Sequence, residues 1–366
     1  MDVLYIISIT IVAVFLIVSL TNLIAARSIM VTADNTDINQ NYSVLIPARN
    51  EENNIRKILD SILNQTFPPF EVIVLDDNST DLTNELVREY SNRYSNIQLV
   101  RGEPLPSNWL GKNWACHQLA NKATTDYLMF VDSDVTLNKN AFKSLLNKFL
   151  KQNADLLSVF PTQKLKGLGD ALVVPLMNWI LLSLLPLQLV YKSKNKSFVA
   201  ANGQLLLIKK NVYNQIGGHA EVKYEVVEDM EIARRAKGSG FKLVTLLGGN
   251  NVFCTMYDGF IKAINGYTKN FYLGFKTPKF AFIFFVLVIV VSMIYPFIAV
   301  WFKSDYLFHI VLIIINRIIV SSLSNQSIFM NILLHPLQFV VMLFVGLTSV
   351  IKTHSGTIEW KGRNIV

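Results

Sequence analysis

The feature that most constrains the fold is a regular alternation of short apolar segments with helix-forming segments between residues 43 and 131. Four short apolar segments predict buried strands, at residues 43–46, 71–75, 96–100 and 126–131. Three segments between them predict helices, at residues 51–63, 82–90 and 114–123. Strands that alternate with helices form a mainly parallel, Rossmann-like α/β sheet. No glycine-rich dinucleotide fingerprint follows the first strand, which disfavours a dinucleotide-binding protein.

Polar clusters follow three of these strands, at residues 47–51, 76–77 and 132–134. Parallel strands bring their carboxyl ends to one edge of the sheet, where ligands of such sheets bind. Each cluster has an ordinary explanation: a helix cap at Asn50, an Asx-type turn at Asp76, and a solvated turn after the last strand. Three acidic clusters on one edge nevertheless repel one another unless a cation or a donor-rich ligand lies among them. The pattern therefore predicts a nucleotide site.

Asp132 and Asp134 are the candidate metal ligands. They follow a buried strand and are one residue apart, so their side chains are expected to point to the same side of the chain. Two carboxylates in that position can hold Mg²⁺ or Mn²⁺ against a diphosphate, since such ions retain water and bind phosphate oxygens.

Long apolar segments predict a membrane protein. Hydrophobic residues make up 51% of the 366 residues, and the mean hydropathy is +0.36. Residues 3–26 carry no charge and predict a retained anchor. Residues 280–301 and 330–351 predict two further spans, whereas residues 306–323 form a weaker candidate because Arg317 lies within them. The net charge of +8 suits an anionic membrane surface better than nucleic acid, which is not an expected partner.

Residues 171–190 are uncharged but contain Pro175 and Pro186, and lysines flank them. We interpret them as an interfacial segment with its basic flanks on lipid headgroups, because a crossing would divide one α/β domain between two sides of the membrane. A true span is the alternative. Cys116 and Cys254 are far apart and have no metal-binding spacing, so they are expected to be reduced core residues.

The ordered motifs resemble those of family 2 glycosyltransferases. They comprise residues 44–52, 74–81, 130–134, Gly217-Gly218-His219 and Val227-Glu228-Asp229, so that the resemblance covers residues 43–275. It implies a GT-A fold, an inverting transfer, and Mg²⁺ or Mn²⁺ as the metal. The implied donor is a nucleotide sugar, expected to be a UDP-sugar such as UDP-glucose.

The same resemblance implies roles for individual residues. Pro47, Arg49 and Glu51 would line the nucleotide pocket, and Asp76 or Asp77 would contact the base or ribose. Asp132 and Asp134 would hold the metal and the diphosphate. Asp229 would be the catalytic base, with Glu228 beside it. For Glu228 and Asp229 the alternative is compensation of the helix dipole in a first turn.

Two lysines are further candidates for phosphate binding. Lys112 follows Gly111 at the start of a helix, where a surface lysine beside a turn glycine is the alternative explanation. The Gly-Lys pair also resembles the carotenoid-acid and hopene-associated branch of the family, as does the basic tail around Lys361. Lys269 could face phosphate or only the membrane surface.

The expected enzyme is a non-processive hexosyltransferase. Polymer-forming family members carry a Gln-x-x-Arg-Trp motif, but none of the five tryptophans here follows an arginine. The expected acceptor is a membrane lipid, an isoprenoid such as a carotenoid acid. The alternatives are transfer to a polyprenyl phosphate or another glycolipid, and an inactive family member that acts as a membrane scaffold.

These inferences predict a multi-pass cell-membrane protein in four parts: an anchor at residues 1–27, a GT-A domain at 41–275 that includes segment 171–190, a membrane region at 280–352, and a basic tail at 353–366. Nucleotide sugars are cytosolic, so the catalytic domain is expected in the cytoplasm. A cytoplasmic tail then requires that the segment with Arg317 does not fully cross.

Overall fold

The structure, a computed structural model, describes residues 3–31, 39–257 and 259–364. Residues 32–42, whose polar composition rich in Asp and Asn predicts a linker, therefore lie largely outside the described residues. The chain forms two compact units: a helical unit (residues 1–28, 163–188 and 256–366) and an α/β unit (residues 29–162 and 189–255). The sequence places residues 171–190 and 256–275 in the α/β domain, whereas residues 163–188 and 256–275 pack within the helical unit.

The strands are β1 (Tyr42–Ala48), β2 (Glu71–Asp76), β3 (Ile97–Arg101), β4 (Tyr127–Val131), β5 (Val135–Leu137), β6 (Leu156–Phe160), β7 (Thr162–Gln163), β8 (Leu205–Lys209), β9 (Leu243–Leu247), β10 (Val252–Cys254), β11 (Glu359–Trp360) and β12 (Arg363–Asn364). Seven of them form the main sheet, in the order β3-β2-β1-β4-β8-β6-β9. All neighbouring pairs are parallel except those of β8, which runs antiparallel to β4 and β6. The predicted mainly parallel α/β sheet is confirmed.

The helices are α1 (Val3–Ile24), α2 (Ala26–Ile29), α3 (Ile55–Leu63), α4 (Thr83–Arg93), α5 (Gly111–Lys122), α6 (Ala141–Lys151), α7 (Leu168–Val173), α8 (Pro175–Leu184), α9 (Gln188–Lys192), α10 (Lys210–Gln215), α11 (Glu228–Gly238), α12 (Phe260–Phe275), α13 (Lys279–Ala299), α14 (Tyr306–Leu323), α15 (Ile328–Leu333) and α16 (His335–His354). A 3₁₀ turn, Gly218–Val222, precedes α11.

Strand order explains where polar side chains gather in the α/β unit. Every residue of β2 is buried, and so are all residues of β1 except Pro47, because helices cover both faces of a parallel sheet. Polar residues therefore collect where these strands end. Because β8 is antiparallel to β4, Val131 pairs with Leu205, and the residues before β8 lie beside those after β4. The sequence of residues 198–208 also predicts a strand, but its first half is wrong, since β8 begins only at Leu205.

Among the described residues, α1, α13, α14 and α16 are long and apolar enough to cross a membrane. The predicted anchor corresponds to α1, and the first predicted C-terminal span to α13. Residues 330–351 are not one continuous helix, because α15 ends at Leu333 and α16 starts at His335, followed by Pro336. The segment at 171–190 is broken at Pro175 into the short helices α7 and α8.

Arg317 in α14 is buried, with 2% of its surface exposed. Its guanidinium donates to the Asn331 backbone oxygen at 3.0 and 3.2 Å and to Gln338 Oε1. Gln338 in turn donates to the Ala171 backbone oxygen at 2.7 Å. The arginine that makes this segment unfavourable in sequence is therefore satisfied by α15 and α16, which reduces the cost of burying it.

We expect Arg317→Met to destabilise the helical unit, because Asn331 O and Gln338 Oε1 then lose their buried donor. Loss of such a partner costs about 1–3 kcal/mol, so the midpoint of thermal unfolding in detergent should fall. Lys352→Met is the matched control, since Lys352 makes only an exposed 3.4 Å hydrogen bond to Asn265 Oδ1. Equal midpoints for both variants would show that the arginine network adds no stability.

The number of crossings after residue 280 stays a prediction, because α13, α14 and α16 all qualify by length and composition. With two crossings, a cysteine introduced as Asn364→Cys should react with an impermeant maleimide only after the cells are permeabilised. The native Cys116 and Cys254 are free and buried, so they should contribute little background. Labelling in intact cells would place the tail outside and favour three crossings.

Candidate functional site

The loops after β1 and β2 are joined by hydrogen bonds. The Asn50 backbone N–H donates to Ser79 Oγ at 3.0 Å, and Asn50 Oδ1 accepts the Thr80 N–H at 2.8 Å. Asn50 has φ 54°, a left-handed conformation that asparagine tolerates better than most residues. The predicted Asn50 cap is wrong, because α3 begins only at Ile55. The side chain instead holds the second loop in place, which no local pattern indicates.

The predicted nucleotide residues of these two loops lie together. Arg49 Nη1 donates to the Asp77 backbone oxygen at 2.7 Å, and the Glu51 N–H donates to Thr83 Oγ1 at 2.7 Å. Asp76 and Asp77 are both buried. Pro47 is half-buried and pairs with Leu75 of β2. The sheet thus gathers all five predicted residues at the carboxyl ends of β1 and β2.

Asp76 also forms the predicted Asx-type turn. Its Oδ1 accepts the Ser79 N–H at 3.1 Å, and its Oδ2 accepts from Asn84 Nδ2 at 2.8 Å. Asn84 lies in the first turn of α4. The carboxylate is therefore oriented by the chain itself, and its contact with a base or ribose stays a prediction, as does that of Asp77.

Asp132 and Asp134 follow β4 and are both partly buried. Burial, followed by the charges of Asp132 and Glu51, raises the pKa of Asp134 to about 7. The pKa of Asp132 is also raised, chiefly by burial, although the charge of Lys112 opposes the shift. The carboxylates after β1 and β4 are therefore close enough to repel one another. This is the electrostatic situation that the sequence predicts.

Asp134 fits a role as a metal ligand. Its Oδ1 is buried without a hydrogen-bond partner among the described residues. A cation could therefore bind this oxygen without breaking a hydrogen bond. The described part of the chain contains no group of three or more His, Cys, Asp or Glu side chains arranged to hold a metal ion. A metal held by Asp132 and Asp134 would thus depend on phosphate oxygens and water for its other ligands, as Mg²⁺ commonly does.

Cys254 lies against this position, a contact that sequence reasoning missed. Its thiol is hydrogen-bonded to Asp134, and Gln204 Nε2 lies 2.6 Å from its sulfur. Burial, followed by the charge of Asp134, raises the pKa of the Cys254 thiol well above its usual value. The predicted reduced, buried state of both cysteines is confirmed. A lone cysteine carries no sequence signal that could have revealed this neighbour.

Lys112 connects the strand-end carboxylates to α11. It lies in the first turn of α5, which begins at Gly111. Its Nζ is 2.9 Å from Asp132 Oδ2 and 3.1 Å from Glu228 Oε1. The lysine is therefore part of the acidic cluster and not a surface residue beside a turn glycine.

Asp229 is held by two backbone amides. Its Oδ2 accepts the Gly203 N–H at 2.6 Å, and its Oδ1 accepts the Met230 N–H at 2.7 Å. Burial, followed by the charge of Glu228, raises the pKa of Asp229 to about 7. A carboxylate with that pKa and a fixed orientation can accept a proton near neutral pH.

Gly203 brings the chain close to this cluster. A Cβ at that position would lie 3.0 Å from Lys112 Nζ, 3.2 Å from Glu228 Oε1 and 3.5 Å from Asp229 Cβ. Asn202 and Gly203 stand where, by resemblance to family 2 glycosyltransferases, residues near the acceptor are expected. The antiparallel course of β8 is what positions them here.

The Gly217-Gly218-His219 motif contacts the Tyr213 side chain. The Tyr213 hydroxyl accepts the His219 backbone N–H at 3.0 Å and lies 2.9 Å from His219 Nδ1. Gly218 has φ 51°, and a Cβ there would lie 2.3 Å from the Tyr213 ring. Burial lowers the pKa of His219 to about 3, so the imidazole is neutral at physiological pH.

Lys269 belongs to α12 in the helical unit, whereas the other ten predicted site residues belong to the α/β unit. The geometry of the cluster described above gives no information on the contact of Lys269 with phosphate, which stays a prediction.

Comparison with known proteins identifies a matching family model and proteins of similar sequence. Residues 43–214 match the family model described as glycosyl transferase family 2. A 4,4'-diaponeurosporenoate glycosyltransferase of Staphylococcus aureus (strain bovine RF122 / ET3-1) is 28% identical over 342 residues, which are 88% of each chain. The protein of that description in strain USA300 is 28% identical over 335 residues, covering 88% of this chain and 87% of its own.

Among solved structures, the mannosyltransferase PcManGT from Pyrobaculum calidifontis, in complex with GDP-Man and Mn²⁺, has a similar fold. The TM-score is 0.52 at 17% sequence identity, and the match covers 96% of this chain and 99% of that one. At this level of identity the similarity shows the fold, and the predicted GT-A class is confirmed.

Proposed function

We propose that the protein, whose residues 43–214 match the family model described as glycosyl transferase family 2, is a membrane-bound inverting enzyme that transfers one sugar from a nucleotide-sugar donor to a lipid acceptor. The observation that carries the proposal is the position of Lys112 Nζ, within 3.1 Å of both Asp132 and Glu228. This position of Lys112 supports a single site that contains both the strand-end carboxylates and the Glu-Asp pair at the start of α11.

The donor diphosphate would lie at the carboxyl ends of β1, β2 and β4. Arg49, Glu51 and the pair Asp76 and Asp77 are gathered there, and Asp132 and Asp134 follow the neighbouring strand. Mg²⁺ or Mn²⁺ held by Asp132 and Asp134 would neutralise the charge that develops on the departing diphosphate.

Asp229 would act on the acceptor. Its two hydrogen bonds to backbone N–H groups hold the carboxylate still, and its raised pKa suits proton removal from a hydroxyl group. A carboxylic acid is already ionised at pH 7, since its pKa is ~4. With such an acceptor Asp229 would orient the nucleophile more than deprotonate it.

We propose a carotenoid acid as the acceptor, with a glycosyl ester as product. The support is the description of the two staphylococcal relatives, which extend over most of this chain, together with four helices among the described residues that are long and apolar enough for a membrane. Transfer to a polyprenyl phosphate is the second candidate, since it also requires no base.

The test uses full-length protein in detergent with Mn²⁺ and radiolabelled UDP-glucose. The acceptors to compare are 4,4'-diaponeurosporenoate, its methyl ester and a polyprenyl phosphate. We expect a product with the free acid only, and mild alkali should release its sugar, because an ester is cleaved where a glycosidic bond to an alcohol is not. A product with polyprenyl phosphate alone would establish the second candidate.

A screen of UDP- and GDP-sugars, read by mass spectrometry of the lipid extract, identifies the donor. Absence of both transfer and donor hydrolysis with every nucleotide sugar would instead favour an inactive membrane scaffold.

A further inference from the structure

Lys112 occupies an unusual position for a residue that is expected to bind phosphate. Its ammonium contacts carboxylates from two other elements: Asp132, which follows β4, and Glu228, which begins α11. The side chains of Lys112 and Asp132 are each 25% exposed, and that of Glu228 is 9% exposed. The ion pairs are therefore largely shielded from water, where such pairs are strong if their geometry is good.

We propose that Lys112 is an exchangeable internal cation that holds Asp132 until a nucleotide diphosphate arrives, and so prevents a divalent metal from binding to the site beforehand. This inference rests on the proposed function. According to this inference, the metal binds only together with the donor. Lys112 releases Asp132 when the phosphates of the donor give the ammonium another anionic partner.

Asp132 already has a cation partner, which is the first reason for this inference. Asp132 Oδ2 is already engaged by an ammonium at 2.9 Å, and a divalent cation on the same oxygen would be repelled by that charge at close range. Asp134 differs, because its Oδ1 has no hydrogen-bond partner among the described residues. One of the two predicted ligands is thus open and the other is covered.

The shortage of other side chains that could bind a metal ion is the second reason. No group of three or more acidic, histidine or cysteine side chains in the described ranges can hold a metal without help. With Asp132 paired to Lys112, Asp134 alone binds a hard divalent ion weakly, since Mg²⁺ and Mn²⁺ need several oxygen ligands.

The narrow space around the Lys112 ammonium is the third reason. A Cβ at position 203 would lie 3.0 Å from Lys112 Nζ, so the Gly203 backbone closes one side of the ammonium. Glycine at 203 is what allows the lysine to reach both carboxylates.

The test measures Mn²⁺ binding from the loss of the free-ion EPR signal, with full-length protein in detergent and no nucleotide. Wild-type protein should bind Mn²⁺ weakly. Lys112→Met should bind it at least ten times more tightly, because Asp132 and Glu228 lose their cation. Lys112→Arg keeps the charge and should behave like wild type.

Lys209→Met is the matched control. Lys209 pairs with Asp155 at 2.7 Å in the same unit, so its loss removes an equivalent ion pair away from the cluster and should leave Mn²⁺ affinity unchanged. Tighter binding in Lys112→Arg or in Lys209→Met, or unchanged binding in Lys112→Met, would overturn the inference.

A second measurement needs only wild-type protein, in case Lys112→Met does not fold. Mn²⁺ with UDP or GDP should raise the midpoint of thermal unfolding by several degrees more than the sum of the effects of Mn²⁺ alone and nucleotide alone, because a ligand stabilises only the state that it binds. Additive effects would overturn the inference. Absence of sugar transfer would refute the proposed function, whereas the Mn²⁺ affinities of the variants decide the role of Lys112 independently.

Discussion

We expect Asp229→Asn to lower the turnover of bound donor about 10²–10⁴-fold in donor hydrolysis, where water must lose a proton, because that is the usual scale for a positioned base. The amide can still accept the N–H groups of Gly203 and Met230 through its oxygen, so the local structure should survive. Donor affinity should change little, because Asp229 is not proposed to contact the nucleotide. Single-turnover kinetics and a separate binding measurement distinguish the two effects.

Glu231→Gln is the control for this prediction. Glu231 lies two residues further along α11 and forms a 3.2 Å ion pair with Arg234, which is worth little at a partly exposed position. Its activity should equal that of wild type. If donor affinity collapses in Asp229→Asn while bound donor turns over normally, Asp229 belongs to the donor site and is not the base.

The pH profile gives an independent test of Asp229. Its pKa is raised to about 7, so the carboxylate is protonated at lower pH and cannot accept a proton there. Donor hydrolysis, in which water must lose a proton, should therefore fall as the pH decreases through about 7. Transfer to a carboxylic acid should fall much less over the same range, because that acceptor stays ionised down to about pH 4.

We expect Asp134→Asn to abolish transfer and Asp132→Asn to reduce it to a lesser degree, because a neutral amide is a poor ligand for Mg²⁺. The structure supports this order: Asp134 Oδ1 has no hydrogen-bond partner among the described residues, while Asp132 is already paired with Lys112. EDTA should abolish wild-type transfer, and added Mn²⁺ or Mg²⁺ should restore it.

Asp60→Asn is the matched control for these carboxylates. Asp60 is exposed in α3, and its Oδ1 accepts a hydrogen bond from the Tyr90 hydroxyl at 2.6 Å, which an amide oxygen can also accept. That variant should retain full activity and the same metal requirement. Undiminished transfer by wild-type protein in EDTA would contradict the metal hypothesis, whatever the variants do.

The architecture of the α/β unit up to β4 follows from local patterns in the amino-acid sequence, and so does the meeting of the polar residues after β1, β2 and β4. Short apolar segments alternate with amphipathic helices such as α3, a local pattern that allows few arrangements other than a parallel sheet. The polar residues after β1, β2 and β4 then had to meet at one edge, and the structure places them there. The long apolar segments likewise identified the candidate spans, because length and composition are local properties.

The contacts between distant segments, beside Asp132 and within the helical unit, became visible only in the folded protein. The antiparallel β8 brings Gly203 beside Asp132, and Lys112 joins Asp132 to Glu228, across separations of about 20 to 120 residues in the chain. Arg317 finds its partners on α15 and α16 in the same way. Such contacts depend on which strands become neighbours and on how helices pack, and packing depends on the shape of the whole core. A propensity or a spacing reports only the nearest residues along the chain, so it indicates that these side chains need partners but not which partners they find.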